Sequence, residues 1–206
     1  VTTIYLLRHG ETVWNAEGNR YCGRTDIPLS PVGRAQAGAA AAALAGTALA
    51  AVVSSPLIRG RETAAAIAEG RLAATTDEGL LEIDFGRWEG MTATEIARTD
   101  PVGWAAWQAD PASSRAGGNG EAGAEGAARA LAALERLVRD FPSEDVVVVG
   151  HNTLNRLLLV ALLGAPLAGY RRLVQANGCI NVLEVGPWGW RLAHVNAIAH
   201  LQSGRT

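Results

Sequence analysis

Two apolar runs in this chain end in the same way. Ile4-Tyr5-Leu6-Leu7 leads into Arg8-His9-Gly10, and Val146–Val149 leads into Gly150-His151-Asn152. Each run has the length of a strand, and the second is followed directly by helix-forming sequence. In open α/β sheets, ligands bind outside the carboxyl ends of the strands. Two strands of one sheet would therefore deliver two imidazoles to a common edge. A neutral imidazole nitrogen is a competent nucleophile near neutral pH. A guanidinium offers a planar fork of donors that fits phosphate oxygens, and Gly10 lets the backbone come close to the ring. Alone, Arg-His-Gly carries little, because an arginine at a strand end is ordinarily a solvated charge and a histidine is often just hydrogen-bonded. The second histidine makes a shared anion site the better reading.

The remaining pattern alternates strands with helices. Strand-like runs lie at Thr3–Leu7, Ala51–Ser54, Val146–Gly150 and Cys179–Val185. Ser30-Pro31 opens a helix, as N-cap and first helical residue, which continues from Arg34 to Leu44. A second helix is expected over Leu57–Ala68, a third after the capping pair Thr92 and Glu95, a fourth over Glu121–Phe141 before Pro142, and a fifth over Asn152–Leu163. Near-continuous apolar strands between helices predict an α/β fold, a three-layer sandwich with a mostly parallel central sheet and helices on both faces. Trp190–Val195 is expected to pair with 179–185 as a closing hairpin across Gly186-Pro187. Asp110–Gly126, with Gly117-Gly118-Asn119-Gly120 at its centre, reads as a mobile loop that buries little.

The chain has 206 residues and 49% apolar side chains, which suits one domain, 1–206, with a variable insertion around 100–126. A net charge of -2 supplies no global field for nucleic acid. Two cysteines, Cys22 and Cys179, are far apart and lack metal-ligand spacing, so neither a disulfide framework nor a zinc site is expected. The first residues read as a strand rather than a signal peptide, and the longest apolar stretch, Ala39–Ala45, is too short to span a membrane. A soluble, cytoplasmic protein without nucleic-acid or membrane partners is the expectation. A homo-oligomer is compatible with the composition.

Further segments carry candidate chemistry. Arg59 lies in Ser54-Ser55-Pro56-Leu57-Ile58-Arg59, on the first turn of a helix, where a cation is slightly unfavourable unless an anion is bound. Glu82 sits between apolar neighbours in Leu81–Gly90. A carboxyl in apolar surroundings has its pKa raised and can serve as a general acid; the alternative is a carboxylate capping a loop. Asn15, Asn19, Arg20 and Gly23 follow the first strand as possible donors, although Asn15 also suits a turn or cap. Arg24, Arg115 and Arg156 are further substrate-contact candidates, each equally readable as a solvated charge. Trp104 and Trp107 would share a helix face, covering the pocket or simply packing. His194 and His200 read as structural or exposed.

In these residues and their order the chain resembles the histidine phosphatase superfamily, also called phosphoglycerate mutase-like. Arg8–Thr12 matches its signature, Ser54–Ala64 its second-arginine segment, Leu81–Gly90 the acid segment of its phosphatase members, and Gly150-His151 its second-histidine segment. The resemblance implies that His9 is the phosphorylated nucleophile and that Arg8, Arg59 and His151 hold the phosphoryl oxygens. It implies that Glu82 protonates the leaving oxygen and then activates water, that Asn15 touches the phosphate, and that Gly23 lines the pocket. Asn152 stands where many members have Gly, and is counted with the phosphate-binding candidates. The implied activity is hydrolysis of a small soluble phosphate ester through phosphohistidine, with no metal and no cofactor, and with an acid-side, bell-shaped pH profile. A 2,3-bisphosphoglycerate-dependent phosphoglycerate mutase is the alternative, and a non-catalytic phospholigand-binding module a further one. The short Phe85–Gly90 segment after Glu82 favours the phosphatase.

Overall fold

The computed structural model describes residues 1–202. In chain order the elements are β1 (Thr2–Arg8), α1 (Val13–Ala16), α2 (Pro31–Ala43), β2 (Leu49–Ser54), α3 (Ile58–Ala68), β3 (Ala74–Thr76), α4 (Ala93–Thr99), α5 (Pro101–Ala109), α6 (Gly123–Asp140), β4 (Asp145–Gly150), α7 (Asn152–Leu162), β5 (Ile180–Gly186), β6 (Gly189–Ala197) and α8 (Ala199–Gln202). The strands form one sheet in the order β3-β2-β4-β1-β5-β6. The first four of that order are parallel, and β5 and β6 close the edge as an antiparallel hairpin. The expected mixed α/β layering and the closing hairpin are both present.

Burial on both faces explains the apolar strands. Ile4, Leu6, Val146 and Val148 point to one face, where Ala127, Ala130, Ala133 and Leu134 of α6 and Leu154, Leu157 and Leu158 of α7 cover them. Leu7, Val52, Val147 and Val149 point to the other, under Ala40 of α2 and Ala64 and Ile67 of α3. The register is what matters for the site. In the parallel β1–β4 pair Leu7 lies opposite Val149 and Arg8 opposite Gly150, so His9 and His151 leave the sheet level with each other. Ser54 of β2 lies opposite Val149, which brings the Arg59 segment to the same edge.

The caps form as their residues predict. Ser30 Oγ accepts from the Gly33 N–H at 3.0 Å with Pro31 opening α2, and Thr92 and Glu95 form the capping box of α4. Four elements were not anticipated: the single-turn helices α1 and α8, and also β3 and α5. β3 is three exposed residues, too short to show alternation. α5 holds the expected Trp104–Trp107 face and starts at Asp100, whose carboxylate accepts from the Gly103 N–H, with Pro101 next. No helix among the described residues is long and apolar enough to cross a membrane.

The segment 110–126 corrects an expectation. It is packed, with Ala116 and Ala122 buried. The Glu121 N–H donates to Asp84 O at 2.8 Å, and Arg87 Nε donates to Gly117 O at 2.9 Å. Its glycines serve close approach rather than freedom: a Cβ on Gly120 would lie 2.2 Å from Asp84 O. The segment thus braces the loop that carries Glu82.

A second close approach secures His9. The turn after β1 lies on the first turn of α2, where a Cβ on Gly33 would meet Glu11 O at 2.0 Å. Overpacking of this kind costs about 1–3 kcal/mol. Gly33→Ala is therefore expected to lower Tm by roughly 2–10 °C, read by thermal unfolding followed by circular dichroism. An unchanged Tm would mean that the turn yields without cost.

Candidate active site

A cavity of about 490 Å³ opens at the carboxyl edge of β1 and β4. Arg8, His9, Asn15, Arg59, Glu82 and Asn152 line it, and His151 is buried behind them, its ring 5.1 Å from that of His9. The candidates from five separate segments are thus brought together.

Hydrogen bonds define the histidine tautomers. His9 Nδ1 lies 2.6 Å from Gly10 O. A carbonyl only accepts, so Nδ1 carries the proton and Nε2 keeps its lone pair. His151 Nδ1 lies 3.2 Å from Arg59 Nε. A guanidinium only donates, so here Nδ1 accepts, and in the neutral ring Nε2 carries the proton. That Nε2 is buried with no hydrogen-bond partner among the described residues. One ring offers a lone pair and the other an N–H. Burial, with the charges of Arg59 and Arg8 adding to it, holds the His9 pKa well below 6.5. Burial, then Arg59 and His9, does the same for His151.

Arg59 is fully buried, yet its partners are neutral: Nη1 donates to Thr25 O at 2.9 Å and Nη2 to Gly23 O at 2.6 Å. Arg8 donates from Nη1 to Gln175 O at 2.6 Å, and its Nε is buried without a partner. Desolvation pulls the Arg8 pKa down to about 10, which leaves it charged at neutral pH. Neither guanidinium forms an ion pair among the described residues. Two cations buried without counter-ions are costly unless an anion joins them.

Glu82 departs from its expected surroundings. Its Oε1 accepts from the N–H groups of Ile83 and Leu154, both at 2.9 Å, and Oε2 from that of Thr153 at 3.1 Å. The carboxyl therefore caps the first turn of α7 instead of lying in an apolar pocket, since the donors of that turn have no intrahelical partner. Asn15 is the cap residue that one of its readings expected, and it also stands at the cavity. It forms a capping box with Thr12 at α1, accepts from Asn177 Nδ2 at 3.2 Å, and lines the cavity.

Some candidates lie elsewhere. Gly23 does not line the cavity; its carbonyl anchors Arg59, and a Cβ there would strike Glu89. Arg24 and Arg115 also lie outside it, paired with Glu121 and Glu125. Arg20 lines it but is held by Glu95 at 2.9 Å. Trp104 faces the cavity, whereas Trp107 is buried and donates from Nε1 to the Tyr170 hydroxyl at 3.2 Å. Arg156 lines the cavity together with Tyr170 and Arg171, two residues that sequence reasoning missed. They lie on a short 3-10 helix after α7, Leu167–Arg172, too short to leave a periodic signal in the sequence. His200 lies beside Gly178 O at 2.9 Å, away from the cavity.

The buried histidines make stability depend on pH. Below about 6.5 the unfolded chain takes up protons that folded His9 and His151 do not. Stability present above that pH is lost as pH falls, with a limiting slope of about 1.4 kcal/mol per pH unit for each ring. The Tm of the ligand-free protein should drop between about pH 7 and pH 5, and less steeply in His9→Asn. Equal slopes for the two proteins would show that His9 is not held neutral.

Comparison with known proteins agrees with this geometry. A profile of the histidine phosphatase superfamily (branch 1) matches residues 4–198. The chain spans only 45% of the length of mycobacterial relatives that it matches at 39% identity over 166 residues. Other relatives match along their whole length. A glucosyl-3-phosphoglycerate phosphatase of Mycobacterium tuberculosis is 33% identical, over 97% of this chain and 96% of that protein. Phosphoserine phosphatase 1 of Hydrogenobacter thermophilus is 32% identical, over 96% of this chain and 93% of that protein. The solved structure of YhfR from Bacillus stearothermophilus superposes with a TM-score of 0.90 at 32% identity, covering 98% of this chain and 100% of that one. The chain belongs to the histidine phosphatase superfamily, branch 1.

Proposed function

We propose that this protein hydrolyses small phosphate monoesters through a phosphohistidine formed on His9. The observation that carries the reading is the pairing of a lone pair on His9 Nε2 with two buried guanidiniums that have no counter-ion. Phosphoryl transfer asks a protein mainly to position the reactants and to balance charge on the equatorial oxygens. Arg8, Arg59 and the Nε2–H of His151 supply that balance. Asn15 and Asn152 add donors at the rim of the same cavity. Two of the relatives named above are a glucosyl-3-phosphoglycerate phosphatase and a phosphoserine phosphatase, which supports the same substrate class.

The chemistry divides into two displacements. In the first, His9 Nε2 attacks phosphorus, the bond from phosphorus to the ester oxygen breaks, and Glu82 in its acid form gives that oxygen a proton. In the second, water attacks the phosphohistidine, the N–P bond breaks, and the Glu82 carboxylate takes the proton from the water. Inorganic phosphate and the restored His9 are the products. Because the donors that cap α7 also hold the Glu82 carboxyl, the acid is positioned by the same turn that presents His151 and Asn152.

The test is steady-state phosphate release from a panel of metabolite monoesters in the presence of EDTA, with vanadate as competitor. Wild-type protein should turn over without added metal, vanadate should inhibit it, and His9→Ala should lower kcat/KM by at least about a thousandfold, the scale of removing a nucleophile. Near-wild-type turnover in His9→Ala would overturn the reading. Conversion of 3- to 2-phosphoglycerate dependent on 2,3-bisphosphoglycerate, without net phosphate release, would replace it with the mutase.

A further inference from the structure

Beyond the phosphate site, the cavity holds more positive charge than one phosphate uses. Arg156 and Arg171 line the same cavity on either side in sequence of Tyr170, with guanidinium carbons 4.8 Å and 4.5 Å from the Tyr170 ring centre. Ring contact attracts a cation through the quadrupole of the aromatic face but brings no counter-charge. The Arg156 guanidinium makes no hydrogen bond or ion pair to any described residue, and its Nε is buried without a partner among them. Arg171 reaches only the carbonyls of Trp107 and Gln108, at 3.4–3.5 Å. Arg20, in contrast, already has Glu95.

The charge balance is informative. With Glu82 ionised, Arg8, Arg59, Arg156 and Arg171 leave three positive charges on the lining. A phosphomonoester dianion answers two of them. Arg8 adjoins His9 in sequence and Arg59 is hydrogen-bonded to His151, so the surplus falls to Arg156 and Arg171. Position also limits the ligand. Asn152 and Arg156 are four residues apart on α7 and both line the cavity. About 6 Å, just over one helical turn, therefore separates their backbones along the axis. A second acidic group held by Arg156 lies within a few bonds of the phosphate, as in a small molecule.

We infer that Arg156 and Arg171 form a second anion subsite, and that the substrate of this protein is a small phosphomonoester carrying a further acidic group, a carboxylate or a second phosphate. The inference rests on the phosphatase reading and names the substrate class of that same cavity. Arginine suits the role because its planar fork binds either group through two parallel N–H donors. The Tyr170 ring, itself pinned by the Trp107 indole, holds the two guanidiniums in place. That limits the side-chain entropy lost on binding.

Matched esters test this. 3-Phosphoglycerate and glycerol 3-phosphate differ in having a carboxylate or a hydroxymethyl group. O-Phosphoserine and O-phosphoethanolamine differ in the presence of a carboxylate, and fructose 1,6-bisphosphate and fructose 6-phosphate in the presence of a second phosphate. In at least one pair the wild-type kcat/KM should favour the acid-bearing member by at least about tenfold, the equivalent of about 1.4 kcal/mol. The pair that shows the preference identifies the acidic group. Arg156→Gln should collapse that ratio toward one, and Arg171→Gln should reduce it. Calorimetric binding of the same esters to His9→Ala gives the ratio independently of turnover. No preference in any pair by either readout, or a ratio kept in Arg156→Gln while both members weaken alike, would overturn the second subsite. Turnover of acid-free esters at the same rate would leave the phosphatase reading standing. A binding preference in His9→Ala without wild-type hydrolysis would sustain the subsite while refuting the phosphatase.

Discussion

The site depends on one buried cation. Arg59 is completely enclosed, and its guanidinium reaches His151 Nδ1, Thr25 O and Gly23 O. It thereby joins the start of α3, the loop after β1 and the end of β4. Removing a charge from water costs several kcal/mol even after relaxation, and neutral acceptors offset only part of that. The same contacts orient His151 and choose its tautomer, and burial, with the charge of Arg59 adding to it, holds both imidazoles neutral. Under the proposed function, a dianion in the cavity would supply the missing counter-charge.

Glu82 shows the same economy of parts. Its carboxyl occupies the N-terminal turn of α7, where unpaired N–H groups favour a carboxylate oxygen as acceptor. That contact ties the Leu81–Gly90 loop to the helix that follows His151. The glycine-rich stretch from Gly117 to Gly120 packs on the other side of the loop, against Asp84 and Arg87. A carboxyl on an otherwise irregular segment is thus positioned from two directions.

Much of this was legible in the sequence because it is local. Strand ends, the Ser30-Pro31 cap, the Thr92–Glu95 box and the hairpin at Gly186-Pro187 depend on neighbours within a few residues. The histidines and Arg59 were found because each follows or opens such an element. The errors have a common cause. Gly117–Gly120 looked flexible because lack of side chains reads as freedom, yet here it permits contact with a backbone remote in sequence. Glu82 looked apolar in its surroundings because its sequence neighbours are, whereas its partners Thr153 and Leu154 lie some seventy residues away. Gly23 was placed at the cavity by the resemblance, and Arg24 and Arg115 by their charge, none of which reports where the folded chain carries them.

By itself the sequence determined which residues stand at strand ends and helix starts: hydrophobic period, capping chemistry and glycine placement act within a turn or two of backbone. Tertiary structure alone decided which of the arginines keep their charge for a ligand. Among the described residues Arg20, Arg24 and Arg115 meet carboxylates, while Arg8, Arg59, Arg156 and Arg171 do not. Whether a guanidinium finds a counter-ion depends on parts of the chain that only folding brings within a few ångströms, and no local pattern encodes that distance.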